Sequence, residues 1–152
     1  MKFIKFLMFI VLVAQLMSCN SKYSYLNLSG SEKSKERVAY VKSFTTEFFS
    51  KCEKEDFSEI KNYPMSINMK NRLEPENFRK LCSYYTNKYG KVTVGELSSA
   101  STDYSARDFL DNFFFHAKGS KNDSLQYVRV KVYRDDNMIE RISIPNYKTN
   151  KK

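Results

Sequence analysis

Apolar residues recur every three or four positions in two parts of the chain, the spacing of a helix with one buried face. The first stripe predicts a helix over residues 32–53, with Ser31 as N-cap before acidic Glu32. Its members are Val38, Val41, Phe44, Phe48 and Cys52. The second stripe follows Pro75, a residue favoured in a first helical turn, and ends at Gly90, a typical C-terminal cap. Its members are Phe78, Leu81, Cys82, Tyr85 and Tyr89.

The pattern between these two helices is weaker. Residues 56–60, Asp-Phe-Ser-Glu-Ile, are expected to form a short helix that ends at Asn62, because Pro64 disfavours helical backbone at Tyr63. The stretch 64–73 fits neither a helical nor a strand period, so the sequence leaves it open.

From Lys91 onward the apolar period changes to two, which is typical of strands. Strands are predicted over residues 91–97, 108–117, 125–133 and 138–144. The second strand is expected to place Phe109, Phe113 and Phe115 on one face and Leu110, Phe114 and His116 on the other. Helices followed by an antiparallel meander predict an α+β domain over residues 32–147, with the N-terminal helices packed on a curved, cone-like sheet of about four strands.

The longest apolar run lies at the start of the chain. Lys2 and Lys5 precede an unbroken apolar segment over 6–14, the layout of a secretory signal peptide. Even when counted to Met17, the segment is shorter than the roughly 20 residues that a membrane-spanning helix needs. We therefore expect a signal peptide over 1–18, with an uncleaved anchor as the weaker alternative.

Leu16-Met17-Ser18-Cys19 resembles the bacterial lipobox, although Met17 stands where a small residue is usual. The resemblance implies that Cys19 becomes the acylated first residue of a lipoprotein, rather than that the chain is an ordinary secreted protein. It also implies a place in the cell envelope, at the inner or outer membrane, with the domain in the periplasm or at the cell surface. Residues 19–31, rich in Ser and Asn, are expected to be a tether.

The whole chain has 26 basic and 17 acidic residues, and loss of Lys2 and Lys5 would leave 24 basic residues and a charge of +7. The basic residues are scattered among acids, and only the tail 148–152 is a local basic excess. For an exported chain this distribution favours solubility and a mild preference for anionic surfaces, and no nucleic-acid partner is expected.

With Cys19 assigned to lipid, Cys52 and Cys82 remain in a compartment that permits disulfides. Both lie on predicted apolar helix faces, so two separately buried thiols are favoured, and a single bridge is the alternative. The chain has one histidine and no Cys-x-x-Cys motif. No metal site and no cofactor are therefore predicted.

The order of elements and three local motifs resemble small bacterial domains with the cone-shaped fold of the nuclear transport factor 2-like and cystatin-like group. The motifs are Leu73-x-Pro75-x-x-Phe78, Lys88-Tyr-Gly90-Lys-Val and the closing Val-Tyr-Arg-Asp-Asp-Asn-Met-Ile. The resemblance covers residues 32–145. It implies a pocket between sheet and helices, which ketosteroid-isomerase-like and polyketide-cyclase-like enzymes use for catalysis and other members use for binding.

Catalysis in such a pocket needs a carboxylate base and proton donors. The candidates are Asp103, Asp111, His116, Glu140, Tyr84 and Tyr85. Asp111 and His116 have an odd separation, so a regular strand places them on opposite faces, and Asp111 is expected on the solvent face. Glu140 shares a strand face with apolar residues, but a local twist that pairs it with Arg129 or Arg141 at the surface is favoured.

No catalytic set therefore converges in the sequence. The favoured hypothesis is a non-enzymatic lipoprotein that binds an apolar small ligand or an envelope protein through the cone or the outer sheet face. The first alternative is an isomerase- or hydratase-like enzyme that uses Glu140, Asp111 or His116. The second is a structural or immunity-type surface protein.

Overall fold

The computed structural model describes residues 25–27, 33–104 and 109–145, so the predicted signal peptide, Cys19 and the basic tail lie outside the described residues. The elements, in chain order, are β1 (Tyr25–Asn27), α1 (Lys35–Glu53), α2 (Ile67–Arg72), α3 (Pro75–Tyr89), β2 (Val92–Tyr104), β3 (Phe109–Gly119), β4 (Tyr127–Tyr133) and β5 (Ile139–Ser143). Helices followed by an antiparallel meander confirm the predicted α+β class.

The two main helices lie close to their predicted positions. The first begins later than expected, because Ser34 rather than Ser31 is its N-cap, and the Ser34 hydroxyl accepts a hydrogen bond from the Arg37 N–H at 3.1 Å. Helix α3 begins at Pro75 and is followed by Gly90, whose φ of 72° is the left-handed conformation that glycine favours. None of the helices in the described ranges is both long and apolar enough to cross a membrane.

The predicted short helix over 56–60 is wrong. The Asp56 carboxylate accepts hydrogen bonds from Lys51 Nζ at 2.7 Å and from the Ser58 N–H at 3.0 Å, and these bonds hold an irregular loop. Such side-chain bonds compete with helical backbone bonds. The stretch that the sequence left open contains α2, whose N-cap Ser66 accepts from the Met69 N–H.

The described strands form one antiparallel sheet in the order β1-β2-β3-β4-β5. Strand β1 comes from the segment predicted as a tether, and its Tyr25 pairs with Asp103 at the end of β2. Strand β2 is longer than predicted and contains two register shifts, between Val94 and Ser99. At the other edge, Met65 forms a single parallel bridge with Ile139.

The core lies between one face of the sheet and the helices. The described apolar residues at 0 % exposure are Val41, Phe44, Phe48, Met69, Phe78, Phe113, Phe115, Val128, Val130, Val132, Ile139 and Ile142. Burial of each such side chain contributes about 1.5–3 kcal/mol to folding. These residues belong to one continuous apolar cluster, so the domain's own side chains fill the space beneath this face. We call the opposite face the outer sheet face.

A disulfide joins Cys52 of α1 to Cys82 of α3, with an S–S distance of 2.05 Å. Both cysteines are almost fully buried. Near them the rings of Phe48 and Tyr85 meet edge to face, with centroids 6.2 Å apart. The bridge therefore fixes the contact between the two main helices within the apolar cluster.

Candidate functional site

Asp111 lies on the inner face of β3 with 0 % exposure, so its predicted place on the solvent face is wrong. Asp111 lies two and four positions before Phe113 and Phe115, and residues at even spacing in a strand point to the same face of the sheet. The carboxylate accepts from Arg37 Nη1 at 2.5 Å. It also accepts from Arg134 Nη2 and from Thr102 Oγ1, each at 2.8 Å. We call these four side chains the Asp111 cluster.

The Asp111 cluster links α1 to the sheet. Arg37 also donates through Nε to Asn137 Oδ1 at 2.6 Å and through Nη2 to the Tyr133 carbonyl at 3.3 Å. Burial on its own would raise the pKa of Asp111, but the hydrogen bonds from Arg134, Arg37 and Thr102 outweigh it and hold that pKa below its ordinary value. A buried carboxylate that stays ionised between two arginines is suited to a structural role and poorly suited to proton abstraction.

Glu140 is buried at the start of β5, at 8 % exposure. It is the extra residue of a β-bulge, because Ile139 pairs with Val132 while Arg141 pairs with the adjacent Lys131. Its Oε1 accepts from Asn68 Nδ2 at 3.1 Å, and its Oε2 has no hydrogen-bond partner within the described structure.

The expected surface pair of Glu140 with Arg129 or Arg141 is not formed by any described contact. Arg129 donates instead to Ser143 Oγ at 3.3 Å, and Arg141 is exposed. The bulge turns Glu140 away from these arginines and toward α2. Its carboxylate therefore lies at the sheet edge beneath a short helix.

The remaining candidates are spread over the molecule. His116 is exposed on the outer sheet face, where its ring lies 5.2 Å from that of Tyr127. Asp103 is nearly buried and pairs with Lys131 at 2.6 Å. Tyr85 is buried beside α1, and burial raises the pKa of its hydroxyl, whereas Tyr84 is exposed on α3. Asp111, His116 and Glu140 thus occupy the inner face, the outer face and one edge.

A concave apolar surface is formed by the loop that follows α1, by α2 and by the start of α3. Its volume is about 630 Å³, within the range of small-molecule sites. Its apolar lining consists of Phe57, Ile60, Tyr63, Pro64, Met65, Leu73 and Pro75, and its charged rim consists of Glu59, Lys61, Lys70 and Glu74. We call it the loop groove.

The local sequence explains the shape of the loop groove. Pro64 and Pro75 restrict the backbone of its walls, and Asn62 adopts a φ of 71°, a conformation that asparagine tolerates. Tyr63 is fixed by a hydrogen bond from its hydroxyl to Ser43 Oγ at 2.9 Å. Loops placed by a rigid scaffold often carry binding sites. The sequence analysis did not predict the loop groove. The apolar residues and prolines that recur without a regular period in this segment were the signal for it.

A second concavity of about 690 Å³ lies on the outer sheet face around His116. It opens beside Gly95, where an added Cβ would lie 3.3 Å from the His116 Cβ. Lys118, Asp123 and Gln126 contribute polar groups to its wall. A glycine inside a predicted strand was the sequence signal for such a close approach. This hollow is more polar in its side chains than the loop groove.

Among the described residues, no group of three or more His, Cys, Asp or Glu side chains is placed to hold a metal ion. Comparisons of the chain with protein-family models, with curated proteins and with solved structures found no match.

Proposed function

We propose that the protein is a lipid-anchored module of the bacterial cell envelope that binds an apolar small ligand in the loop groove. The observation that carries the proposal is a contrast between two apolar regions, the inner face of the sheet and the loop groove. The inner face of the sheet is packed with the domain's own side chains. The loop groove offers an open apolar lining of suitable size.

The lining of the groove suits a ligand with an apolar body and few polar groups. Ile60, Met65 and Leu73 are at most 9 % exposed, so core packing fixes the floor of the groove. The apolar surface that a ligand can reach comes from half-buried Phe57 and Tyr63 and from exposed Pro64 and Pro75. Phe57 is held in place by the Arg79 guanidinium, which lies 5.1 Å from the centre of its ring. A preformed apolar site loses little conformational entropy on binding.

The enzyme alternative has less support from the geometry. Proton transfer needs a base within hydrogen-bond reach of the substrate and a donor nearby. Asp111 is enclosed by two arginines, Glu140 lies at an edge and His116 lies on the outer sheet face. None of the three lines the loop groove.

A neutral fluorescent probe, N-phenyl-1-naphthylamine, tests the binding proposal. The mature chain with Cys19→Ser should give a saturable rise in probe fluorescence at a stoichiometry of one. Lys70→Trp places a bulky side chain at the exposed rim without touching the core, and it should weaken probe binding about tenfold or more. Lys35→Trp on α1 is the matched control and should leave binding unchanged.

Equal affinity in both tryptophan variants, or no saturable binding, would show that the groove does not take an apolar ligand. An envelope protein partner remains the alternative occupant, and it predicts that photo-crosslinks from position 70 form protein adducts. A structural or immunity-type role predicts neither probe binding nor adducts.

The lipid anchor is tested separately. Protein extracted from bacterial membranes should begin at Cys19 and carry the mass of a diacylglyceryl group, with or without a third acyl chain. Such an anchor needs no membrane-spanning helix, because each buried methylene contributes about 0.8 kcal/mol. A Cys19→Ser chain should leave the membrane fraction. An unmodified Cys19 in membrane-extracted protein would refute the anchor.

A further inference from the structure

The outer sheet face carries an excess of positive charge. At the outer-face positions of the described β3, β4 and β5 there are four cations, Lys118, Arg129, Lys131 and Arg141, and no carboxylate. On β2, Asp103 reaches across β3 to bind Lys131 at 2.6 Å and offsets one of the charges. Asp123, in the wall of the outer-face hollow, offsets a second charge, so the described part of this face keeps a net positive charge.

Two of these cations lie opposite each other, and the described contacts give a carboxylate partner to only one of them, Lys131. Lys131 and Arg141 are directly paired across β4 and β5. Like charges at opposed positions destabilise a sheet pair. Such a pair becomes favourable when an anionic surface supplies the opposite charge. Arg141, which is exposed and forms none of the described ion pairs, is therefore the cation that an anionic partner would compensate.

The start of the described chain forms an edge strand of the same sheet. Tyr25 pairs with Asp103, and it follows Cys19 by six residues. Six residues span at most about 22 Å when fully extended. A lipid on Cys19, which rests on the proposed function, would keep the edge of the outer sheet face within that distance of the bilayer.

We propose that the outer sheet face lies on an anionic lipid surface, with Arg129 and Arg141 contacting headgroup phosphates. Phe114, which is paired with Arg129 on this face, is close to the headgroup level. Basic side chains near an anionic bilayer act by electrostatic attraction that salt screens. The loop groove, on the helical side, then faces away from the membrane.

Vesicle binding by the unlipidated mature chain, Cys19→Ser, tests the surface without the anchor. The chain should bind vesicles of phosphatidylglycerol and phosphatidylcholine, should not bind pure phosphatidylcholine, and should be released by 0.5 M salt. Arg129→Gln with Arg141→Gln should weaken binding about 10- to 30-fold, the effect of two surface cations. Lys54→Gln with Lys61→Gln removes the same charge from exposed positions elsewhere and should change binding less than threefold.

Orientation is read from the lipidated full chain, which has no natural tryptophan. In vesicles with brominated lipid, the fluorescence of Phe114→Trp should be quenched, and that of Tyr84→Trp on α3 should not. Flotation with vesicles but equal quenching at both positions would overturn the inference and leave the anchor standing. Vesicle binding by the unlipidated chain together with an unmodified Cys19 would support the inference and refute the anchor. Equal loss of binding in both glutamine pairs, or binding to duplex DNA but not to anionic vesicles, would also overturn it.

Discussion

Asp111 illustrates what a single position in a strand does and does not reveal. Its face follows from parity with Phe113 and Phe115, so the inner placement was available from the sequence. The sequence did not reveal its partner Arg37, because the two residues lie 74 positions apart and meet only in the folded domain. An interior carboxylate is tolerated when such donors converge on it, and long-range pairing of this kind leaves no local signal.

We expect Asp111→Asn to lower the free energy of unfolding by about 3–5 kcal/mol, because it leaves two arginines without their buried counter-charge. The pKa of Asp111 is held below its ordinary value in the folded state. Its contribution is therefore present above about pH 4 and is lost as the pH falls through the lowered pKa. Urea unfolding at pH 7 and at pH 3 should show a large difference between wild type and variant at pH 7 and a smaller one at pH 3. Asp135→Asn, at an exposed position, is the control, and an equal effect in both would contradict the prediction.

Glu140 should respond in the opposite direction. Its Oε2 is buried and has no described partner, so its charge is poorly compensated. We expect Glu140→Met, which keeps the length of the side chain, to raise the free energy of unfolding by about 1 kcal/mol. The urea midpoint measures the change, and Glu59→Met at an exposed position is the control. A loss of stability would mean that the carboxylate has a stabilising partner.

At the level of elements, the strength of the periodic signal decided what could be predicted. Helices α1 and α3 and strands β3 and β4 have many regularly spaced apolar residues, and they lie close to their expected positions. Strand β1 is three residues long, too short to show a period. The register shifts in β2 break the alternation, so the strand continues beyond Leu97, where the sequence signal stops.

The disulfide should be a major support of the helical layer. Cys52 and Cys82 are 30 residues apart, and closing a loop of that size is worth about 3–4 kcal/mol by the loop-entropy model. Cys52→Ala with Cys82→Ala should lower the free energy of unfolding by about that amount. Reductant should destabilise the chain that contains both cysteines and should not affect the double variant. Equal stability with and without reductant would contradict the prediction.

Gly90 ends α3 with a left-handed backbone in a crowded place. An added Cβ would lie 2.3 Å from Ser120 Oγ and 2.8 Å from Lys121 Cγ. We expect Gly90→Ala to cost at least 1 kcal/mol of stability, because both the conformation and the space disfavour a side chain. Gly95→Ala, where φ is not positive and the nearest contact is 3.3 Å, should cost less. Thermal unfolding of the two variants compares them, and equal losses would contradict the argument.

For the molecule as a whole, the class of fold was predictable and the site was not. Alternation along the strands implied one buried sheet face, and the long first helix was the expected cover. The loop groove depends on how an irregular segment packs beside α2, and the absence of a period there left its shape undetermined. The charge of the outer sheet face could not be predicted from a local sequence pattern, because its four cations come from three different strands.

The two proposed surfaces are formed by different residues of the domain. The loop groove is on the helical side, and the cationic residues are on the outer sheet face. If the outer sheet face rests on lipid, the groove opens toward the aqueous compartment. Binding of the naphthylamine probe should then have the same affinity for lipidated protein on vesicles as for the Cys19→Ser chain in solution. A marked loss of affinity on vesicles would show that the membrane covers the groove.

The shortness of β1 has a mechanical consequence. Three paired residues at the edge of the sheet connect the folded domain to the segment that leads to Cys19. A pulling force from a lipid on Cys19 would act first on these three pairs, and the buried core would carry no load until they separated. With β1 detached, the 16 residues from Cys19 to Lys35, where α1 begins, could span at most about 58 Å at full extension. Under such a force the edge strand would separate from the sheet before the core unfolds, so the folded domain could move farther from the bilayer.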